Sequence, residues 1–140
     1  MGQTESILIV DDDASTCATL SRVLTSKGYE THTAATGREA LEKVEARAFN
    51  VAILDVRLPD MDGIALLAPL KEKRPDMAII LITAYASIQT AMQALYHGAA
   101  AYITKPMDID EMLATVRQVL EKQRLVDQNR SLHDETRREI

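Results

Sequence analysis

The amino-acid sequence predicts an α/β fold in which a parallel sheet is covered by helices on both faces. Two observations predict this class. Short apolar runs recur along the chain without alternating polar and apolar residues, a pattern typical of strands that are buried on both faces. Between these runs lie segments in which apolar residues recur at helical spacing. An alternating strand–helix order produces parallel strands joined by right-handed crossovers.

Five segments are predicted as strands because each is a short, largely apolar run. The second segment is the weakest of the five. In chain order the segments are "ILIV" (7–10), "YETHTA" (29–34), "VAILDV" (51–56), "AIILIT" (78–83) and "AAYIT" (100–104).

Five helices are predicted after these strands, because apolar residues in the intervening segments share one helical face. The positions that define the faces are Ala14, Cys17, Leu20 and Leu24; Ala40, Leu41 and Val44; Ile64, Leu67 and Leu70; Ile88, Ala91, Met92 and Leu95; and Ile109, Met112, Leu113, Val116 and Leu120.

Helix boundaries are marked by capping residues. Thr36 and Ser87 stand where N-caps are expected, and Asp108 precedes the last helix with an acid three residues on, as in a capping box. Gly28 and Gly98 follow helical segments where a left-handed C-cap is expected.

The composition fits one domain with an ordinary core, since 46% of the 140 residues are hydrophobic. The single cysteine, Cys17, cannot form a disulfide within the chain, so we expect a reducing compartment, the cytoplasm. No segment resembles a signal peptide or is long enough to span a membrane, so we expect no membrane contact. The formal net charge of -5 argues against direct contact with nucleic acid.

Polar side chains follow the predicted strands at their carboxyl ends. These ends meet at one edge of a parallel sheet, where open α/β sheets bind their ligands, so we expect the side chains to converge. For Asp13 we favour the role of a helix N-cap, because it stands just before the first helix. The set is Asp11, Asp12 and Asp13 after the first strand, Asp55 near the end of the third, Thr83 at the end of the fourth and Lys105 after the fifth.

The chemistry that suits this set is phosphoryl transfer to a carboxylate. Adjacent carboxylates repel one another unless a cation compensates, and aspartate oxygens favour a hard divalent ion such as Mg²⁺. Asp55 would attack phosphorus as a nucleophile and form an aspartyl phosphate. Thr83 would donate a hydrogen bond to one phosphate oxygen, and Lys105 would place a positive charge near another.

Four sequence stretches in this order resemble the receiver domain of bacterial two-component response regulators: "ILIVDDD", "VAILDVRLPDMDG", "LITAYAS" and "AAYITKP". The resemblance covers residues 5–122, and we expect residues 1–122 to form the receiver domain. It implies a flavodoxin-like, doubly wound (βα)5 sandwich with a parallel five-stranded sheet of order 2-1-3-4-5.

The resemblance also implies site roles. Asp55 would be the phosphoacceptor, receiving its phosphoryl group from a phosphohistidine on a sensor histidine kinase. Asp12 would bind Mg²⁺ directly and Asp11 mainly through water, and Asp55 and the backbone carbonyl of Arg57 would complete the protein ligands.

Further roles implied by the resemblance belong to residues of the last two strands. Thr83 and Tyr102 would form a switch pair, in which the hydroxyl moves onto the phosphate and the ring swings inward. The Lys105–Pro106 peptide bond would be cis.

Other stretches are similar to receivers of the NtrC type, which precede an ATPase that acts on sigma-54 polymerase and a DNA-binding domain: "DVRLPDMDG", "TAYAS", "TAMQALYHGAAAYITKP" and "LEKQRLVDQNRSL". No phosphate-binding GxxxxGK[ST] motif occurs here. We therefore interpret the chain as an excised receiver that controls an output domain, with transcription as the expected output. A single-domain or hybrid protein with a similar receiver is the alternative.

The last helix is predicted to be extended, since no Gly or Pro interrupts the pattern after Asp108. Residues 123–140 would form a helical linker. Within it, Leu125, Asn129, Leu132 and Thr136 follow coiled-coil spacing over about two heptads, which favours a homodimer through this helix. The alternative is a solvated extension.

Two other functions fit parts of the pattern. A Mg²⁺-dependent phosphatase of the haloacid dehalogenase type also uses a strand-end aspartate, but its general acid stands two residues after the nucleophile, where this chain has Arg57. A receiver-like binding module that takes up no phosphate would lack one of the site residues, and none is missing. We therefore expect a signalling switch that catalyses only its own phosphorylation and dephosphorylation.

Overall fold

A computed structural model describes the backbone of residues 4–139 and the side chains of residues 4–126. Within these residues, five strands alternate with five helices. The elements are β1 (Ser6–Val10), α1 (Ala14–Ser26), β2 (Glu30–Ala34), α2 (Gly37–Ala46), β3 (Val51–Asp55), α3 (Gly63–Lys73), β4 (Ala78–Thr83), α4 (Ile88–Tyr96), β5 (Ala101–Thr104) and α5 (Ile109–Glu139).

The strands form one parallel sheet of order β2-β1-β3-β4-β5, which confirms the predicted topology. The chain runs from β1 outward to β2 and then crosses back to β3 on the other side of β1. The winding direction therefore reverses between β1 and β3, and their carboxyl ends lie side by side, with Val10 paired to Leu54. Such a reversal opens a crevice at that edge of the sheet.

The core has two layers, one on each face of the sheet. Alternate residues of β1 point to opposite faces: Leu8 and Val10 pack with α2, α3 and α4, whereas Ile7 and Ile9 pack with α1 and α5. All four side chains are fully buried. Between their ends the central strands are therefore apolar on both faces, which explains why their sequences do not alternate.

Helix boundaries follow the predicted capping signals. The side chains of Asp13, Thr36 and Ser87 each accept a hydrogen bond from a backbone N–H in the first turn of α1, α2 and α4. Gly28 and Gly98 follow α1 and α4 with φ of 94° and 96°, a backbone conformation that favours glycine. The capping role predicted for Asp13 is thus confirmed.

Asp108 caps α5 as predicted, since its Oδ1 accepts hydrogen bonds from the backbone N–H groups of Asp110 at 2.9 Å and Glu111 at 3.4 Å. The return bond of a capping box, from the Asp108 N–H to the Glu111 carboxylate, is absent from the hydrogen bonds described for these residues. The structure therefore confirms Asp108 as the N-cap of α5, but the predicted capping box lacks its second hydrogen bond.

Helix α5 is 31 residues long, which confirms the predicted extension. Its early part packs on the sheet through Met112, Val116 and Leu120, whereas Leu125 lies outside this packing and is exposed. The side chains of the other three predicted coiled-coil positions lie outside the described residues. Among the described helices, including α5, none combines the length and the apolar character that a membrane crossing requires.

Candidate functional site

Three carboxylates meet at the crevice between β1 and β3. Asp11 follows β1 directly and Asp55 is the last residue of β3, so the sheet itself brings these two side chains together. Oxygen atoms from Asp11, Asp12 and Asp55 all lie within 4.8 Å of one another. Asp11 and Asp55 are buried and Asp12 is exposed, so the cluster opens to solvent on one side.

Backbone hydrogen bonds orient the two buried carboxylates. The N–H of Asp13 donates to Oδ1 of Asp11 at 3.0 Å, and the N–H of Arg57 donates to Oδ1 of Asp55 at 3.1 Å. In each case the donor lies two residues further along the chain. The second oxygen of each carboxylate is left to face the crevice.

Lys105 binds both of these second oxygens. Its Nζ lies 3.1 Å from Oδ2 of Asp11 and 3.1 Å from Oδ2 of Asp55. The Lys105–Pro106 peptide bond is cis, and the Lys105 N–H donates to the Thr83 carbonyl at 2.8 Å. Burial alone would lower the pKa of Lys105, but the hydrogen bonds to the two aspartates and their charges together raise it above its ordinary value.

The cluster carries excess negative charge, because three carboxylates face one ammonium group. Burial raises the pKa of Asp55 above its ordinary value, and the nearby charge of Asp11 acts in the same direction. The hydrogen bonds from the Arg57 N–H and from Lys105 offset this rise only in part. A further cation would reduce the repulsion, and oxygen ligands of this kind fit Mg²⁺. The residues present therefore fit a magnesium ion.

Thr83 ends β4 and is buried beside the carboxylate cluster. Its Oγ1 accepts a hydrogen bond from the Tyr85 N–H at 3.0 Å, which leaves the hydroxyl proton to be donated elsewhere. In the register of β3 and β4, Thr83 comes one residue after Ile82, the partner of Asp55. The hydroxyl therefore belongs to the same edge of the sheet as the carboxylates.

Tyr102, the other predicted switch residue, lies on β5 and is partly buried against the core layer of α2, α3 and α4. Its hydroxyl lies 2.8 Å from Oγ1 of Thr90 on α4. Sequence reasoning missed Thr90 as the partner of Tyr102. The signal available was Ser87-x-x-Thr90, the capping box that directs Thr90 to the start of α4.

Two residues that flank the carboxylates stack on each other. The guanidinium carbon of Arg57 lies 3.7 Å from the centre of the Tyr85 ring, within cation–π distance. The sequence did not predict this contact. The stack joins the β3–α3 loop to the β4–α4 loop at the mouth of the crevice.

The β3–α3 loop, residues 56–62, carries the predicted carbonyl ligand of Arg57. Its base is closed by a β-bridge between Arg57 and Asp62 and by a hydrogen bond from the Gly63 N–H to the Val56 carbonyl at 2.6 Å. A Cβ atom on Gly63 would lie 2.5 Å from the backbone oxygen of Asp55. Glycine is therefore required for α3 to start this close to the end of β3.

Asp13 lies apart from the cluster, since its exposed side chain caps α1. Its pKa is lowered chiefly by the hydrogen bond from the Thr16 hydroxyl. Among the predicted rim residues, the structure thus brings together Asp11, Asp12, Asp55, Thr83 and Lys105, and it excludes Asp13.

Residues 7–117 match the family described as the response regulator receiver domain. The chain is 42% identical to the transcriptional regulatory protein ZraR of Escherichia coli O157:H7 over 121 residues. This match covers 86% of this chain and 27% of ZraR. The regulatory protein AtoC of Escherichia coli (strain K12) is 39% identical over 127 residues, or 91% of this chain and 28% of that protein. The chain thus spans about a quarter of the length of these curated relatives.

Solved structures of receiver domains are also similar to this chain. The solution structure of the beryllofluoride-activated NtrC4 receiver domain dimer gives a TM-score of 0.81 at 37% identity and covers 84% of this chain and 98% of that chain. A CheY-like receiver domain protein from Methanospirillum hungatei JF-1 gives a TM-score of 0.84 at 39% identity, covering 87% and 98%. The predicted NtrC-type likeness is confirmed. The chain belongs to the response regulator receiver domain family, whose members act as phosphorylation-operated switches in two-component signalling and use Mg²⁺ at an acidic pocket.

Proposed function

We propose that this chain accepts a phosphoryl group on the carboxylate of Asp55 from a phosphohistidine of a sensor histidine kinase. An Asp55 oxygen forms the new O–P bond while the N–P bond of the donor breaks, and the imidazole nitrogen keeps the bonding electron pair. The observation that carries this proposal is the contact of Lys105 with both Asp55 and Asp11, 3.1 Å in each case, at the crevice of the sheet.

Mg²⁺ would be held by Asp11, Asp12, Asp55 and the backbone carbonyl of Arg57, with Asp12 as a direct ligand and Asp11 acting mainly through water. Bound there, it would supply positive charge to the phosphoryl oxygens. This proposal is supported by the three carboxylate oxygens within 4.8 Å of one another.

The remaining side chains stabilise the phosphoryl group and transmit its presence. Lys105 pairs with one phosphoryl oxygen, and the Thr83 hydroxyl donates a hydrogen bond to another. The hydroxyl proton is free to do so because, in the described contacts, Oγ1 of Thr83 acts as an acceptor from the Tyr85 N–H. Phosphoryl transfer needs mainly positioning and charge stabilisation, so this small set suffices.

Thr83 and Tyr102 act as the switch pair. When the Thr83 hydroxyl turns to the phosphate, the Tyr102 ring moves inward and its hydrogen bond to Thr90 is lost. Because Thr90 lies on α4, this change shifts a pre-existing equilibrium between two arrangements of α4. The signal is read at the surface formed by α4 and α5, and on α4 the apolar residues Ile88 and Met92 are exposed.

The domain boundaries and partners form part of the same proposal. Residues 1–122 are the receiver, and residues 123–140 are a helical linker that forms a short coiled coil between two copies. The protein works in the cytoplasm and controls an output domain that regulates transcription, which the similarity to the transcriptional regulatory protein ZraR supports. The receiver catalyses only its own phosphorylation and dephosphorylation and makes no direct contact with nucleic acid.

Acetyl phosphate with Mg²⁺, followed by intact mass measurement, tests the acceptor. The wild-type chain is expected to gain one phosphate, and Asp55→Asn is expected to gain none. Asp110→Asn, an exposed acid on α5, is the matched control and is expected to behave as wild type. An adduct of equal yield on Asp55→Asn would overturn the assignment.

A further inference from the structure

Asp60, at the tip of the β3–α3 loop, is bonded to the start of another helix. Its Oδ1 accepts the N–H of Gly37 at 2.9 Å, and its Oδ2 accepts the N–H of Arg38 at 3.0 Å. Both donors lie in the first turn of α2, where backbone N–H groups lack partners within the helix. These two bonds lower the pKa of Asp60, so the carboxylate is charged at neutral pH.

Helix α2 thus has two caps from different parts of the chain. Thr36, its own N-cap, accepts the N–H of Glu39 at 3.0 Å. Asp60 accepts hydrogen bonds from the N–H groups of Gly37 and Arg38, which the Thr36 side chain does not bind. The remote cap therefore satisfies two N–H groups of α2, and it also fastens the β3–α3 loop to this helix.

A second contact holds the same loop tip. A Cβ atom on Gly37 would lie 2.5 Å from the sulfur of Met61, so the Met61 side chain occupies the space above this glycine. Met61 also packs against the buried core on this side of the sheet. The tip is therefore fixed to α2 by two hydrogen bonds and by apolar contact.

The β3–α3 loop is held at its base and at its tip. Its base is closed by the bridge between Arg57 and Asp62, and its tip is anchored by Asp60. The Arg57 N–H already binds Asp55, so the orientation of the Arg57 peptide depends on the path of this loop.

We propose that Asp60 is a positioning residue, which holds the Arg57 backbone carbonyl in place for the divalent ion by anchoring residues 56–62 to the N-terminus of α2. This inference rests on the proposed function, because it assumes that Mg²⁺ binds at the carboxylate cluster. Coupling between two sites is reciprocal, so ion binding stabilises the contact between Asp60 and α2.

The experiment measures Mg²⁺ affinity by calorimetry, and amide hydrogen exchange at Gly37 and Arg38 by NMR with and without Mg²⁺. Asp60→Ala is expected to weaken Mg²⁺ binding about 10-fold, the lower end of the range for losing an outer partner of a metal ligand. In the wild type, Mg²⁺ is expected to slow exchange at both amides, and in Asp60→Ala it is expected to have no effect there.

Thr36→Val is the matched control, since it removes a cap from the same helix without touching the loop. It is expected to destabilise α2 and to leave the Mg²⁺ affinity unchanged. Asp60→Asn keeps one acceptor oxygen and is expected to recover most of the affinity lost in Asp60→Ala. Asp60 is exposed, and circular dichroism will verify that each variant folds.

Equal Mg²⁺ affinity of Asp60→Ala and wild type would overturn the inference while leaving the proposed function intact. Equal weakening by Thr36→Val would also overturn it, because the effect would then come from α2 alone. A wild-type chain that binds no Mg²⁺ would overturn the proposed function and this inference with it.

Discussion

The ammonium group of Lys105 lies 3.1 Å from a carboxylate oxygen of Asp55, although 50 residues separate them in sequence. The parallel sheet explains the contact, because β3 and β5 both end at the same edge, on either side of β4. Lys105 also binds Asp11 across the crevice. One cation therefore compensates two buried acids before any ion or phosphate arrives.

Replacing Lys105 with Met is expected to destabilise the metal-free protein at neutral pH, because two buried carboxylates lose their counter-charge. The cost is expected to be about 1–2 kcal/mol, below the range for a fully buried pair, since the side chain is 23% exposed. Urea unfolding in EDTA measures it. Lys105→Arg keeps the charge and serves as the control, and addition of Mg²⁺ is expected to reduce the loss. A Lys105→Met protein as stable as wild type in EDTA would contradict the pairing.

Asp55 is expected to make stability depend on pH in a definite direction. Its pKa in the folded protein is raised, chiefly by burial, so its contribution to stability is present below its unfolded pKa and is lost as pH rises through the folded pKa. In EDTA, Asp55→Asn is therefore expected to become more stable relative to wild type as the pH rises from about 4, the ordinary value for Asp, toward neutrality. Thermal unfolding across this range measures the difference. A difference that shrinks toward neutral pH would contradict the raised pKa.

Gly63→Ala is expected to destabilise the fold by about 1–3 kcal/mol, because the new methyl group would meet backbone atoms of Asp55 and Val56 that cannot move aside. Gly37→Ala is the matched control. Gly37 is also the first residue of a helix, but its new methyl group would meet only the flexible Met61 side chain. Denaturant unfolding of the two variants compares them, and the prediction fails if Gly37→Ala costs as much as Gly63→Ala.

Tyr102→Phe is expected to leave the yield of phosphorylation unchanged and to loosen α4 in the unphosphorylated protein. The variant lacks the hydroxyl that joins β5 to Thr90, a bond expected to contribute about 1 kcal/mol. Hydrogen exchange of the α4 amides, with and without acetyl phosphate, measures this. The change on phosphorylation is expected to be smaller in Tyr102→Phe than in wild type, and an identical change would argue against a switch role for the hydroxyl.

The sequence predicted the sheet and its edge well because these follow from local patterns. A short apolar run such as residues 51–56 favours a buried strand, observed at Val51–Asp55, and the ends of parallel strands meet at one edge. The convergence of Asp11, Asp55 and Lys105 therefore followed from the predicted strand positions. The chemical roles of these residues remain predictions.

Contacts between loops could not be predicted in the same way. The stack of Arg57 on Tyr85 and the bonds of Asp60 to α2 join segments more than 20 residues apart, and neither leaves a periodic pattern in the sequence. They depend on how two loops leave the sheet, which only the assembled fold determines. The half-formed capping box at Asp108 shows the same limit on a smaller scale, because a matching sequence does not fix a side-chain rotamer.

The central claim is that the carboxylate of Asp55 takes up the phosphoryl group. After treatment with acetyl phosphate and Mg²⁺, borohydride reduction converts a phosphoaspartate to homoserine, and tandem mass spectrometry of the digested protein locates it. The account predicts homoserine at position 55 and, when EDTA replaces Mg²⁺, none. Homoserine at position 11 or 12 instead of 55, or equal labelling in EDTA, would contradict it.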